Sequence, residues 1–454
     1  MFASRWHCKA NVLLALLLIS QVFTATASRL FGHFATQNGD FYVYYAAARV
    51  VHQNPRADLF EGATGGEALS GTAPYASPLA IEARHAGIEG VLVYLYPPLL
   101  ADLLTPISAM PAHAAAATWK YFNYILLFLV ALYIQYALGF KRNLYIFLTL
   151  LIGTVCYFPV VEAIAYGQIT IVLLLLWTIA VVAYGRGQTI VCALALALAT
   201  ALKITPILML PLFLIWKDRR WLLTYLAGTT AFFVLMLLIN GESSVMSTVS
   251  VMKAVGSSMP SLGIKTLSAL PLEAWILWHI RSLGSHQSGR PGQLLFVIGR
   301  AIAAAFYAVC LYVVWRRRAI STKAERAGTL ALFATVSLLA SPVAWRHAYT
   351  VFLLPLAELW KQATSELGTS IDLRVIVAAS FFTGSVLSEY LVNSHVPFAL
   401  RLIAEYSWVV TGAWLCLRAL NSGFAFVTLT GVSKPEIKDC TRSRKPWRHE
   451  NHNL

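Results

Sequence analysis

Charged side chains are scarce in this sequence. Asp, Glu, Lys and Arg make up 12% of its 454 residues, about half of the ~25% that a soluble domain carries. A water-soluble globule is thereby excluded. Glycine and proline are few, at 27 and 18, which excludes collagen-like and linker-type chains. Cysteines number six. They show no CxxC spacing and none lies in the long polar loops, so no disulfide framework is written into the chain. Acidic residues number 20 against 35 Lys and Arg, a net charge of +15. That excess forms no single patch. The basic residues punctuate apolar runs, which argues against nucleic acid as a partner and for charges that orient helices in a bilayer. What abounds is apolar: 58% of residues are hydrophobic and mean hydropathy is +0.66, which also excludes a disordered chain. The class left is an all-α polytopic membrane protein.

A spanning helix needs about 20 apolar residues, fewer where it borders a protein-lined cavity. Candidate spans run over 11–27, 115–139, 143–161, 168–185, 189–202, 206–216, 221–240, 293–314, 327–340, 349–360, 374–392 and 398–419, about twelve in all. The first is read as a retained anchor, with signal-peptide cleavage after its Thr-Ala-Thr-Ala-Ser end as the alternative. Residues 189–216 read as two short helices meeting at Lys203-Ile204-Thr205-Pro206, because proline favours a break there; one long span is the alternative. With the split, 22 of the 35 Lys and Arg fall on the side of the termini. The positive-inside rule then makes both termini cytoplasmic in a multi-pass protein of the cytoplasmic membrane. The long segments 28–112 and 241–292 face outward. Residues 271–283, amphipathic with two tryptophans, read as an interface helix. Residues 1–433 form one transmembrane domain, and 434–454 a basic cytoplasmic tail.

The polar residues at the outer ends of these spans carry the chemistry. Asp40 opens a helix over 41–52. It reads as an N-cap, as a general base for an acceptor hydroxyl, or as both. Tyr94-Leu95-Tyr96-Pro97-Pro98 enters an apolar run too short to span, an interface hairpin whose Tyr96 could line a sugar or lipid pocket. Glu162, Tyr166, Gly167 and Gln168 form an outward turn that is either a solvated loop or, through Gln168, a binder of hydroxyls. Lys203 follows fourteen small and apolar residues; it either snorkels to the interface or faces a cavity and a phosphate. Trp345-Arg346-His347 is an interface anchor or a phosphate clamp, with Arg346 offering paired hydrogen bonds and His347 a further donor. A carboxylate, two cations and an imidazole on one side suit transfer from a phosphate-activated donor.

These motifs resemble glycosyltransferase family 87. The likeness covers about residues 10–360. It rests on Asp40 with Tyr44-Tyr45-Ala46-Ala47, Tyr96-Pro97-Pro98-Leu99, Gly167-Gln168, Lys203-x-x-Pro206 followed by Arg219-Arg220-Trp221, and Ser341-Pro342-x-x-Trp345-x-His347. The resemblance implies a GT-C-type fold and inverting transfer of a hexose, often mannose, from a polyprenyl-phosphate donor to a lipid or glycan acceptor outside the cytoplasmic membrane. It implies Asp40 as the base. Its late pattern lands on Trp345 and His347; with the residue reading above, Lys203, Arg346 and His347 are expected on the donor phosphate, and Tyr44, Tyr45, Tyr96, Gln168 and Trp345 around the sugar and lipid. No metal or other cofactor is expected. The family's late Trp-x-His-His pattern meets Ala348 at its second histidine, and Arg346 fills the variable slot. The rivals are a secondary transporter or lipid flippase, whose binding sites would sit at mid-membrane between repeated halves, and a non-catalytic assembly factor.

Overall fold

The computed structural model describes residues 39–61, 72–137, 144–257, 266–271, 275, 290–342, 344–364, 409–410, 412–417 and 419–421. The spans expected at 11–27 and 374–392, most of 398–419 and of 271–283, and the tail 434–454 lie outside them.

Among the described residues regular structure is helical throughout, apart from one isolated bridge between Thr72 and Leu92. Segment 28–112 contributes three helices, α1 (Gly39–Gln53), α2 (Pro78–His85) and α3 (Pro98–Ser108). Ser77 caps α2, accepting from the Ala80 amide at 3.3 Å, and Pro97-Pro98 fix the entry to α3 as a proline at a first helical position does. α4 (Ala112–Ala137) follows, then α5 (Leu144–Cys156) and α6 (Phe158–Tyr166). The expected single span 143–161 is a pair bent by 59°. Tyr157 adopts an extended backbone and proline stands in the first turn of α6, which breaks the hydrogen-bond ladder there.

Beyond Gly167 run α7 (Thr170–Gly185) and α8 (Thr189–Leu202). The chain breaks at Lys203, extended at φ −153° and ψ 119°. It resumes as a 3₁₀ turn (Thr205–Met209) and α9 (Leu210–Trp216). The two-helix reading of 189–216 is the one the structure adopts. α10 (Arg219–Ser257) continues through Gly241, whose φ of 77° and ψ of 168° kink it, so the polar stretch expected from 241 onward is helical to residue 257. α11 (Arg290–Arg317) and α12 (Lys323–Ala340) come next; Thr322 and Glu325 close a capping box on α12, satisfying amides otherwise orphaned. A second 3₁₀ turn (Arg346–Phe352) leads into α13 (Leu353–Thr364).

Among the described residues three helices are long and apolar enough to cross a membrane, within 112–137, 219–254 and 294–317; the bent pair α5–α6 makes a fourth if counted as one span. All three long helices expose large apolar side chains, among them Phe128, Leu132, Leu223, Leu238, Val297 and Tyr312. Such faces suit lipid, since water would oppose them. The protein is therefore a membrane protein, helical throughout its described residues apart from the one bridge. The shorter apolar helices α7 and α8 are mostly buried by their neighbours.

Apolar burial has little force between helices in lipid, so close packing of small residues must hold them. α8 provides it with Ala193, Ala195, Ala197, Ala199 and Ala201. Where it meets α10, a Cβ on Gly228 would stand 3.1 Å from that of Ala197. The helices alternate in direction. One end of the bundle collects Arg186, Lys217, Arg219, Arg220, Arg316, Arg317, Arg318, Lys323 and Arg326. The other collects Gln168, Lys203 and the Trp345–His347 segment, and α1 packs there.

Candidate active site

Asp40 lies in the first turn of α1, where the helix dipole favours a carboxylate. Its Oδ2 accepts a hydrogen bond from the Gln168 side-chain amide. Gln168 in turn accepts at Oε1 from the Tyr44 hydroxyl at 2.8 Å and the Tyr96 hydroxyl at 3.1 Å. The two tyrosine rings meet edge to face at 5.0 Å. A single buried amide thus ties together α1, the approach to α3 and the turn between α6 and α7.

That turn is fixed by Gly167. Its φ of 70° is left-handed, and its amide reaches the carbonyls of Ala163 and Ile164 to end α6. A Cβ there would lie 2.5 Å from Cβ of Phe41. The Trp119 indole donates to the Gly167 carbonyl at 2.7 Å, and its ring stacks on Phe41. Only a residue without a side chain lets the turn sit this closely on the helix that bears Asp40.

Lys203, half-buried at the break after α8, places Nζ 5.6 Å from the centre of the Tyr96 ring. Its charge acts on Asp40 and on His347 alike. Burial raises the Asp40 carboxyl above its ordinary value; the Gln168 amide and Lys203 oppose this in part. Burial lowers Lys203 to about 8, with Asp40 holding it up. Burial, then Lys203, then Arg346 push His347 well below the usual imidazole range, so its ring is neutral at physiological pH. The buried Nε2 of His347 has no hydrogen-bond partner among the described residues. Trp345 stacks on His347 at 6.1 Å, and Tyr166 meets it edge-on at 6.4 Å.

Asp40, Tyr44, Tyr96, Gln168 and Lys203 therefore meet at one end of the bundle, and Lys203 joins them electrostatically to His347 with Trp345 behind it. Two expected residues are placed differently. Tyr45 faces away from the cluster and donates to the Met110 carbonyl at 2.7 Å. Arg346 pairs with Glu162 at 3.1 Å and lies over the Phe158 ring. Glu162, read from the sequence as part of a turn, is buried inside α6, where a carboxylate needs such a partner. The apolar residues flanking Glu162 were the available signal.

A narrow cleft of about 20 Å³ leads from Lys203 between α7, α12 and the two 3₁₀ turns. Thr170, Thr205 and Ser337 supply hydroxyls, and Leu173, Trp177, Pro206, Leu338 and Val351 supply apolar wall. The Thr170 hydroxyl is buried and has no hydrogen-bond partner among the described residues. No three His, Cys, Asp or Glu side chains cluster as a metal site among the described residues.

A model of glycosyltransferase family 87 matches residues 94–342, more than half of the chain. The matched stretch contains Tyr96, Gln168 and Lys203; Asp40 lies before it and Trp345, Arg346 and His347 just after. No curated protein and no solved structure matches the chain.

Proposed function

The chain belongs to glycosyltransferase family 87 and is a glycosyltransferase; from that premise we propose that it moves a hexose, mannose foremost, from a polyprenyl-phosphate donor to a lipid or glycan acceptor. The reaction takes place at the outer face of the cytoplasmic membrane. In this reading the short apolar helices α7, α8 and α9 and the terminal segments complete a GT-C-type arrangement of about twelve spans with both termini cytoplasmic.

One observation carries the reading: a half-buried carboxylate shares its surroundings with a half-buried lysine and a neutral histidine whose Nε2 has no partner among the described residues. Asp40 takes the proton of an acceptor hydroxyl. The oxygen attacks the anomeric carbon from the face opposite the leaving group, a carbon–oxygen bond forms, and the bond to the phosphate oxygen breaks. The phosphate leaves with the electron pair, and the configuration inverts. Desolvation makes Asp40 a stronger base than a surface carboxylate, which general-base action rewards.

Charge building on the leaving phosphate is met by the Lys203 ammonium and by an N–H of His347, both pre-set in a site of low dielectric. Arg346 is compensated by Glu162, so Lys203 carries most of the positive charge offered to the phosphate. The cleft of about 20 Å³ below Lys203 has room for a water, not for a phosphate or an isoprenoid chain. Gln168 keeps the carboxylate oriented, and Tyr44 and Tyr96 keep Gln168 oriented.

The decisive experiment is Asp40→Asn. The variant inserts and purifies like the parent, and transfer from polyprenyl-phosphate sugars, followed by mass spectrometry of the glycosylated product, drops at least about a hundredfold, the usual weight of a general base. Transfer at the parental rate would falsify the assignment. Sugar crossing proteoliposome membranes without any covalent product would instead favour a transporter.

A further inference from the structure

α1 has two working faces. Asp40 and Tyr44 occupy one, one turn apart. Tyr42, Tyr45 and Arg49, at the i, i+3 and i+7 spacing of a single helical stripe, occupy the other. That second face opens on a cleft of about 620 Å³ between α1, the end of α2 and the turn from α3 to α4. The volume falls in the ~300–1,000 Å³ range of small-molecule sites. His85 and Glu89 line it from the α2 side and His113 from the first turn of α4.

The cleft has a definite chemical character. Its guanidinium is already neutralised: Arg49 Nε lies 3.0 Å from Glu82. Glu82 also accepts from Gln53 at 2.9 Å and contacts His85 at 3.2 Å. The exposed Glu89 adds a negative charge at the rim. A phosphate or carboxylate ligand would meet compensated charge and one carboxylate. A neutral polyol meets what it needs, namely imidazole and guanidinium N–H donors, carboxylate and carbonyl acceptors, and the half-buried ring of Tyr42 for the apolar face of a sugar.

The position is equally specific. Tyr42 stands two residues from Asp40, ~3 Å of helical rise, and Arg49 a further ~10 Å along the axis. The end of the cleft at Tyr42 is therefore the end nearest the base.

We propose that this cleft is a carbohydrate subsite that holds the non-reacting sugar or polyol part of the acceptor while its terminal hydroxyl reaches Asp40 around the start of α1. The inference rests on the transferase reading above and adds the class of acceptor, a chain of at least two hydroxyl-rich rings. The donor takes the Lys203 face of α1 and the acceptor tail the Tyr42 face.

The test is direct binding to purified full-length protein in lipid nanodiscs, read by saturation-transfer NMR. The probes are trisaccharides of mannose, glucose, N-acetylglucosamine and arabinofuranose. At least one binds. Its dissociation constant weakens about tenfold in both Tyr42→Ala and His113→Ala, and stays within about twofold in Gln188→Ala, an exposed position at the opposite pole. His113 is exposed, so its substitution leaves the fold intact even if Tyr42→Ala does not. Failure of all four probes to bind the parent, or binding indifferent to His113→Ala, overturns the subsite. Saccharide binding that follows the cleft variants, in a protein that transfers nothing from polyprenyl-phosphate donors, keeps the subsite and removes the donor assignment. Transfer whose acceptor KM is unmoved by His113→Ala does the reverse.

Discussion

At the scale of single residues, the site is defined by two ionisable groups that burial displaces towards each other. The Asp40 carboxyl is raised and the Lys203 ammonium lowered to about 8. Turnover needs Asp40 ionised and Lys203 protonated. As pH falls through the Asp40 value, the base is lost. As pH rises through about 8, the cation is lost. The profile of kcat/KM, which reports the free enzyme, is therefore bell-shaped. Its acid limb sits above the ordinary carboxylate range and its alkaline limb near pH 8. In kcat the alkaline limb moves upward, because bound donor phosphate favours the ammonium. Lys203→Arg keeps the charge at every accessible pH and removes the alkaline limb from kcat/KM, though the altered geometry lowers the plateau. An alkaline limb that persists near pH 8 in that variant assigns it to another group.

At the scale of elements, the site depends on how closely α1 approaches the turn between α6 and α7. Gly167→Ala puts a side chain on a left-handed residue, costing ~1–2 kcal/mol, and drives it into Phe41. The expected result is a lower melting temperature in detergent together with a loss of activity larger than the stability change explains, because Gln168 no longer meets Asp40. An alanine variant with parental turnover would show that this contact does not position the carboxylate. Much of this level was legible in the sequence. Boundaries such as 189–202 for α8 follow from an unbroken small and apolar run ended by Lys203 and Thr205-Pro206. Less was legible where a helix does not stop at the membrane. α10 runs on past Gly241 because Asn240 donates to Asp102 at 2.8 Å and Ser247 to Asp58 at 2.7 Å. Those partners lie in the first outer segment, far away in sequence, and no local pattern announces them. The bend at Tyr157 did have a local signal in Pro159, which the reading of 143–161 as one span passed over, and the buried place of Glu162 was signalled only by its apolar flanks, since its ion pair to Arg346 is a tertiary contact. For the candidate site, Asp40, Gln168 and Lys203 stood out as polar residues in apolar surroundings, whereas the opposite orientations of Tyr44 and Tyr45 follow from helical phase and from the Met110 carbonyl.

At the scale of the whole molecule, the bundle is electrostatically lopsided. The ends of α7, α9, α11 and the start of α12 carry Arg186, Lys217, Arg316, Arg317, Arg318 and Lys323 at one pole. The Asp40–Gln168–Lys203 cluster occupies the other. Basic residues beside spans are retained on the cytoplasmic side, and the proposed function accordingly has the cationic pole face the cytoplasm and the cluster face out, toward a lipid-linked sugar. Single cysteines test this directly. Glu61→Cys lies just beyond α1 at the site pole, and Gln188→Cys lies in the exposed turn between α7 and α8 at the cationic pole. The native cysteines described are buried or nearly so, and the parent protein sets the background. In intact cells a membrane-impermeant maleimide labels Glu61→Cys and spares Gln188→Cys until the membrane is permeabilised. Labelling of both from outside would mean that α7 does not cross between them. The reverse pattern would turn the active site to the cytoplasm, where the donor would have to be a soluble nucleotide sugar or a lipid carrier in the inner leaflet, and the proposed chemistry would then have to be reassigned along with the sidedness.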